Sequence, residues 1–184
     1  MPLLSELENQ PVIALVRLWC NLSVNGALPI KQDINAIDVA RTGTMPFIWL
    51  LERKDDDREI ICRLAGDEII HAVGKPLRGR KVSEVYDPLS YRVIAEEWNR
   101  VMDAGQTCHN KGIIAASQGR RYHGERVALP MADRYGRSQF VLGATLYTEL
   151  HDLYAAEEAA EFFSKDPAVF TPWRAVVASF SESS

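Results

Sequence analysis

The first apolar run of the chain predicts a helix with more apolar surface than a single contact can bury. Residues 11–24 open with Pro11, which is favoured in the first turn of a helix, and only Arg17 and Asn21 form a polar seam. We expect one face to pack on its own domain and the other to pair with a second copy of the chain. The pattern thus predicts a homodimer through residues 11–24. The apolar residues available for that second face are Val12, Leu15, Val16 and Trp19.

Five later segments have the composition of β-strands. Residues 47–52 and 59–64 are apolar, β-prone runs joined by a charged turn, which predicts a hairpin. Three further strands are predicted at 107–116, 122–131 and 139–150, with turns between them. Because consecutive strands joined by short turns pair antiparallel, we expect one antiparallel sheet.

A long amphipathic helix is predicted between the second and third strands. Asp87 followed by a proline is a helix start, and Tyr91, Ile94 and Trp98 recur at helical spacing on one stripe before Gly105 ends the helix. Shorter helical turns precede it. Helices inserted between the second and third strands of an antiparallel sheet predict an α+β fold.

The residues after 150 form a different pattern. One helix is predicted at 155–163, and Thr171-Pro172 predicts the start of another, whose apolar stripe carries Trp173, Val176, Val177 and Phe180. This stripe offers a rival to the dimer, since it can fold back and cover the first helix within one chain. The patterns divide the chain into an N-terminal helical cap (1–44), a core (45–150) and a C-terminal helical extension (151–184).

Composition and charge exclude several classes of function. Apolar residues make up 47% and charged residues 25%, as in folded globular proteins. The net charge of −4 is spread along the chain, so we expect no nucleic-acid partner. No apolar run approaches the roughly 20 residues that span a bilayer, and the N-terminus lacks the pattern of a secretory signal. We therefore expect a cytoplasmic protein without a membrane partner.

A succession of short motifs resembles one known family over residues 15–148. The compact PAS family, common as stand-alone proteins in alphaproteobacteria, is similar in the order and spacing of these motifs. The resemblance implies a five-stranded antiparallel sheet that cups short helices and one long helix, with a helix before the first strand. It also implies a sensory or signalling role without catalysis, and dimerisation through flanking helices. The motifs are Trp19, Gly26-Ala27-Leu28-Pro29, Asp33, Met45-Pro46-Phe47-Ile48-Trp49-Leu50, Cys62-Arg63-Leu64-Ala65-Gly66-Asp67, Gly74-Lys75-Pro76-Leu77-Arg78-Gly79 and Leu129-Pro130-Met131.

Seven residues are candidates for the lining of this cup: Trp49, Arg63, His71, Tyr91, Ile94, Trp98 and Tyr147. Arg63 either binds a ligand carboxylate or phosphate, or pairs with a local acid such as Asp67, Glu68 or Glu84. The aromatic side chains either stack on a ligand or fill the cup themselves. Two functions therefore stay open. One is a sensor that binds a small ligand and signals to an unidentified partner protein, and the other is an adaptor with a self-filled core.

No cofactor, metal or catalytic residue is indicated. Haem needs an axial histidine or thiolate, and residues 88–104, where the resemblance implies that this ligand would lie, contain no histidine. Cys108 and His109 are adjacent in a strand, so they point to opposite faces and do not readily bind one ion. The chain has no Gly-x-Ser-x-Gly, His-Glu-x-x-His or Gly-x-x-x-x-Gly-Lys-Ser/Thr motif. The identity of any ligand in the cup is unknown from the sequence.

Overall fold

One antiparallel sheet organises the chain, and the computed structural model describes residues 6–54, 58–117, 120–150 and 168–181. The strands pair in the order β2-β1-β5-β4-β3-β6. They are β1 (Ile48–Arg53), β2 (Ile60–Ala65), β3 (Gln106–Ser117), β4 (Arg120–Ala132), β5 (Ser138–Leu150) and β6 (Val169–Pro172). The helices are α1 (Gln10–Asn21), α2 (Ala36–Arg41), α3 (Asp67–Val73), α4 (Pro88–Ala104) and α5 (Trp173–Ser181).

The predicted α+β fold is confirmed, with α3 and α4 inserted between β2 and β3. The start of α4 follows from local chemistry, because the Asp87 carboxylate accepts hydrogen bonds from the backbone N–H groups of Leu89 and Ser90, each at 3.1 Å. Gly105 ends the helix with a left-handed backbone (φ 57°). Within the described ranges, no helix has the length and apolarity that crossing a bilayer requires.

The sixth strand differs from the sequence prediction. Residues 171–172 end β6 instead of starting a helix, and β6 pairs with β3 through Phe170 opposite Cys108. The helix α5 begins one residue later, where the Trp173 N–H donates to the Gly105 carbonyl at 3.1 Å. The helix predicted at 155–163 lies outside the described residues.

The two faces of the sheet bury separate cores. The cup face packs against α3, α4 and the short 3-10 helix Val82–Glu84. The opposite face packs against α1 and α5, which we call the helix layer. Side chains alternate along a strand, so Arg126 of β4 faces the cup, whereas its neighbours Glu125 and Val127 face the helix layer.

The apolar surface of α1, from which the homodimer was predicted, is covered within the chain. Val12, Leu15, Val16 and Trp19 are all fully buried within one chain. The Trp173 ring meets the Trp19 ring edge-on, at 6.5 Å between centroids and 87° between planes. The predicted exposed apolar patch is therefore wrong, because the sheet and α5 cover both faces of α1. The homodimer stays a prediction, but the apolar surface of α1 no longer supports it.

Candidate functional site

The cup face holds a partly open cavity of about 60 Å³ between the sheet and α3 and α4. That space admits a few water molecules or a compact ligand. Most of the lining is apolar, and it contains no acidic side chain among the described residues. The lining residues are Trp49, Leu51, Cys62, Ile69, Ala72, Val73, Leu77, Val82, Val85, Tyr86, Trp98, Arg126, Thr145 and Tyr147.

Two tryptophans meet beside this cavity. Trp49 of β1 and Trp98 of α4 have ring centroids 5.7 Å apart, with planes tilted by 48°. Gly143 on β5 leaves the space for the Trp49 indole, because a Cβ there would overlap the ring. The Trp49 Nε1–H donates to the Thr145 Oγ1 at 2.9 Å. The Trp49 ring is thus held by β5 and contacts Trp98 of α4.

The indole of Trp98 is not satisfied in the same way. Its Nε1 is buried and has no hydrogen-bond partner among the described residues. A buried donor without an acceptor costs about 1–3 kcal/mol. An acceptor that reaches Trp98 through the cavity would therefore be stabilised there.

Arg126 is the charged residue of the lining, and sequence reasoning missed it. It stands on β4 opposite Asn110 of β3 and Thr145 of β5, and its side chain is half-buried. Burial raises the pKa of Tyr86 above its usual value, while the Arg126 charge lowers it. The net shift keeps the Tyr86 hydroxyl protonated at neutral pH. The signal that could have found it is an arginine at an inward-facing position of a central strand.

Five of the seven predicted lining residues lie in the cup region. Trp49, Trp98 and Tyr147 line the cavity itself. The Tyr147 hydroxyl donates to the Glu68 carbonyl, which links the sheet to α3. Ile94 is buried in the same core and Tyr91 packs against it, but neither reaches the cavity wall.

The other two predicted residues, Arg63 and His71, are corrected by the structure. His71 is exposed on α3. Arg63 lies on the opposite face of the sheet and forms an ion pair with Glu52 of β1. The reason is strand alternation, since Cys62 takes the position that faces the cavity. Local pairing, the alternative reading of Arg63, is found, although with a different acid from those considered.

The thiols beside this core are chemically quiet. Burial raises the pKa of Cys62 to about 11 and that of Cys108 to about 12, so both stay protonated at neutral pH. Neither offers a thiolate nucleophile. Within the described part of the chain, no cluster of three histidine, cysteine or acidic side chains is placed to hold a metal ion.

The helix-layer face of β4 carries a buried carboxylate, Glu125. It accepts hydrogen bonds from the backbone N–H of Asn9 at 2.9 Å and of Glu8 at 3.1 Å, and from the Asn9 side chain at 2.8 Å. His109 of β3 lies 2.9 Å away through its Nε2. Burial raises the pKa of the Glu125 carboxyl, but these hydrogen bonds outweigh burial and leave the pKa below its usual value. Glu125 thereby ties the start of α1 to the sheet.

Comparison with known proteins identifies a family through a family model. A family model described as a PAS domain matches residues 7–146. Among solved structures, the PAS domain from Bordetella pertussis BvgS is 18% identical, with 59% of this chain and 81% of that chain covered and a TM-score of 0.47. An RNA-binding Light-Oxygen-Voltage receptor is 14% identical, with 88% of this chain and 41% of that chain covered and a TM-score of 0.42. No curated protein matches the chain.

Proposed function

Because the chain belongs to the PAS domain family, whose members are generally sensory or signalling modules, we propose that it is a non-enzymatic sensor with a small ligand in its cup. The observation that carries the proposal is the buried indole N–H of Trp98, which has no hydrogen-bond partner among the described residues and lies beside an apolar cavity. A binding site of this type combines apolar walls with a few polar groups that fix the ligand's orientation. Trp98, Arg126 and Tyr86 supply those groups.

The signal leaves through the flanking helices to a partner protein. Support for this relay comes from β4, where Arg126 faces the cavity and its neighbour Glu125 holds the backbone just before α1. A ligand that shifts Arg126 would also shift Glu125, since the two are consecutive in one strand. The relay is then a population shift between two positions of α1, biased by whichever position binds the ligand better.

The alternative is an adaptor whose core is filled by its own side chains. The small cavity and the contact between Trp49 and Trp98 favour this second function. In an adaptor the helix layer does all the binding. For both functions we propose a cytoplasmic location. We also propose that the chain is divided into a helical cap (1–44), a PAS core (45–150) and a C-terminal extension (151–184).

Native mass spectrometry of the purified full chain, together with its absorption spectrum, tests the sensor against the adaptor. We expect a retained compound that is lost in Ala72→Leu, because this change fills the cavity from α3. Ala175→Leu on the exposed side of α5 is the matched control and should keep the compound. A chain that retains nothing, and that Ala72→Leu stabilises, would be the adaptor.

A further inference from the structure

The charge of the cavity lining selects among ligands. Arg126 is its charged member among the described residues, and no aspartate or glutamate lines it. Glu97 of α4 stays outside the lining, where its Oε1 accepts from the Asn110 side chain at 3.4 Å. An apolar wall with a cation at one place favours a ligand that is apolar at one end and anionic at the other.

The unpaired donor of Trp98 narrows the choice further. An indole N–H donates only, so its partner must be an acceptor. A carboxylate is an acceptor-only group with two oxygens, and it can meet an N–H on one oxygen and a guanidinium on the other. Phosphate and sulfate satisfy the same donors, but they have no apolar part to lie against Leu51, Ile69 and Leu77.

We infer that the cup binds a small organic carboxylate, whose oxygens accept hydrogen bonds from the indole N–H of Trp98 and the guanidinium of Arg126. The inference rests on the proposed ligand-binding function and adds the ligand's chemical class. The cavity of about 60 Å³ suits a short-chain acid.

Nuclear magnetic resonance on the full chain tests the inference directly. The chain has four tryptophans, and loss of one indole N–H signal in Trp98→Phe identifies the Trp98 signal. The probes are propionate and propionamide, which have nearly the same shape but differ in charge. We expect propionate to shift the Trp98 signal downfield and to saturate. Propionamide should bind at least about ten-fold more weakly, since it cannot pair with Arg126.

Substitutions at Arg126 separate its charge from its shape. Arg126→Met should weaken propionate binding by at least about ten-fold, whereas Arg126→Lys keeps the charge and should retain most of the affinity. Arg100→Met removes a similar charge from an exposed position of α4 outside the cavity and should leave the propionate affinity unchanged. If Arg126→Met does not fold, Trp98→Phe tests the inference instead. Calorimetry should show that Trp98→Phe weakens propionate binding by about ten-fold.

The outcomes distinguish the ligand class from the function. Equal affinities for propionate and propionamide, or an unchanged propionate affinity in Arg126→Met, would overturn the inference that the ligand is a carboxylate. The proposal that the cup binds a ligand would stand. No shift with either probe would also overturn the carboxylate, and the retained compound in native mass spectrometry would then decide the function by itself. If neither probe binds, a neutral retained compound would still support the sensor function. If no compound is retained either, both the sensor function and the carboxylate inference are overturned.

Discussion

The two faces of the sheet treat a buried tryptophan in opposite ways. In the helix layer, Trp19 is fully buried and its Nε1–H donates to the Pro130 carbonyl at 3.0 Å. In the cup, Trp98 is also buried, although 6% of it stays exposed, and its Nε1–H has no partner in the described part of the chain. One face is satisfied, and the other keeps a cavity and an open donor. The difference supports the proposed division of roles, in which the helix layer serves stability and the cup binds a ligand.

Removal of the C-terminal extension should have the largest effect on this comparison. A chain cut after residue 150 loses β6 and α5, which exposes the Trp19 side of α1 and the edge of β3. We expect light scattering to show association or aggregation of the shortened chain. A shortened chain that stays monomeric and stable would mean that α5 is dispensable for covering α1. Full-length protein that is monomeric at micromolar concentration would overturn the predicted homodimer.

Loss of a single ring in the helix layer should come next. Trp19→Ala should lower the free energy of unfolding by about 3–5 kcal/mol, because it opens a cavity and leaves the Pro130 carbonyl without its donor. Trp98→Ala should fall in the lower part of that range, since it removes an unpaired donor as well as a ring. Urea denaturation measures both. Val24→Ala, at an exposed site, is the control and should have little effect.

The buried carboxylate of the helix layer makes a pH-dependent contribution. The pKa of Glu125 is lowered in the folded chain, so its stabilisation is present above the unfolded pKa and is lost as the pH falls through the folded pKa. Glu125→Gln should lower the free energy of unfolding at pH 7 by about 1–3 kcal/mol and flatten its decline in acid. Thermal melts between about pH 7 and pH 3 test this. If the loss of stability in acid is the same in Glu125→Gln, that loss is caused by other titratable groups.

The smallest effect compares two donors within the cup. Trp49→Phe and Trp98→Phe remove the same atoms, but only the first breaks a hydrogen bond, to Thr145. We expect Trp49→Phe to cost about 1–2 kcal/mol more than Trp98→Phe in the chain freed of any retained compound by unfolding and refolding. Equal costs in urea denaturation would mean that Trp98 has another acceptor, such as water.

Local patterns determined the fold class and most element boundaries. The helical stripe of α4, its Asp87 start and its Gly105 end are all short-range features, and the structure places α4 at Pro88–Ala104. Apolar, β-prone runs bounded by turns likewise predicted β1 to β5 within about two residues. These elements could be predicted because each one depends on neighbours within a few positions.

Contacts between distant residues decided the composition of the site. A shift of one residue exchanges the two faces of a strand, and β1 and β2 change register between Leu50 and Leu51, so the side of Arg63 was beyond the sequence pattern. Arg126 faces the cavity because α3 and α4 pack on that face of the sheet, and no local pattern says which face they cover. The cover of α1 by α5 is likewise non-local, because apolar stripes report that a face is buried and not what buries it.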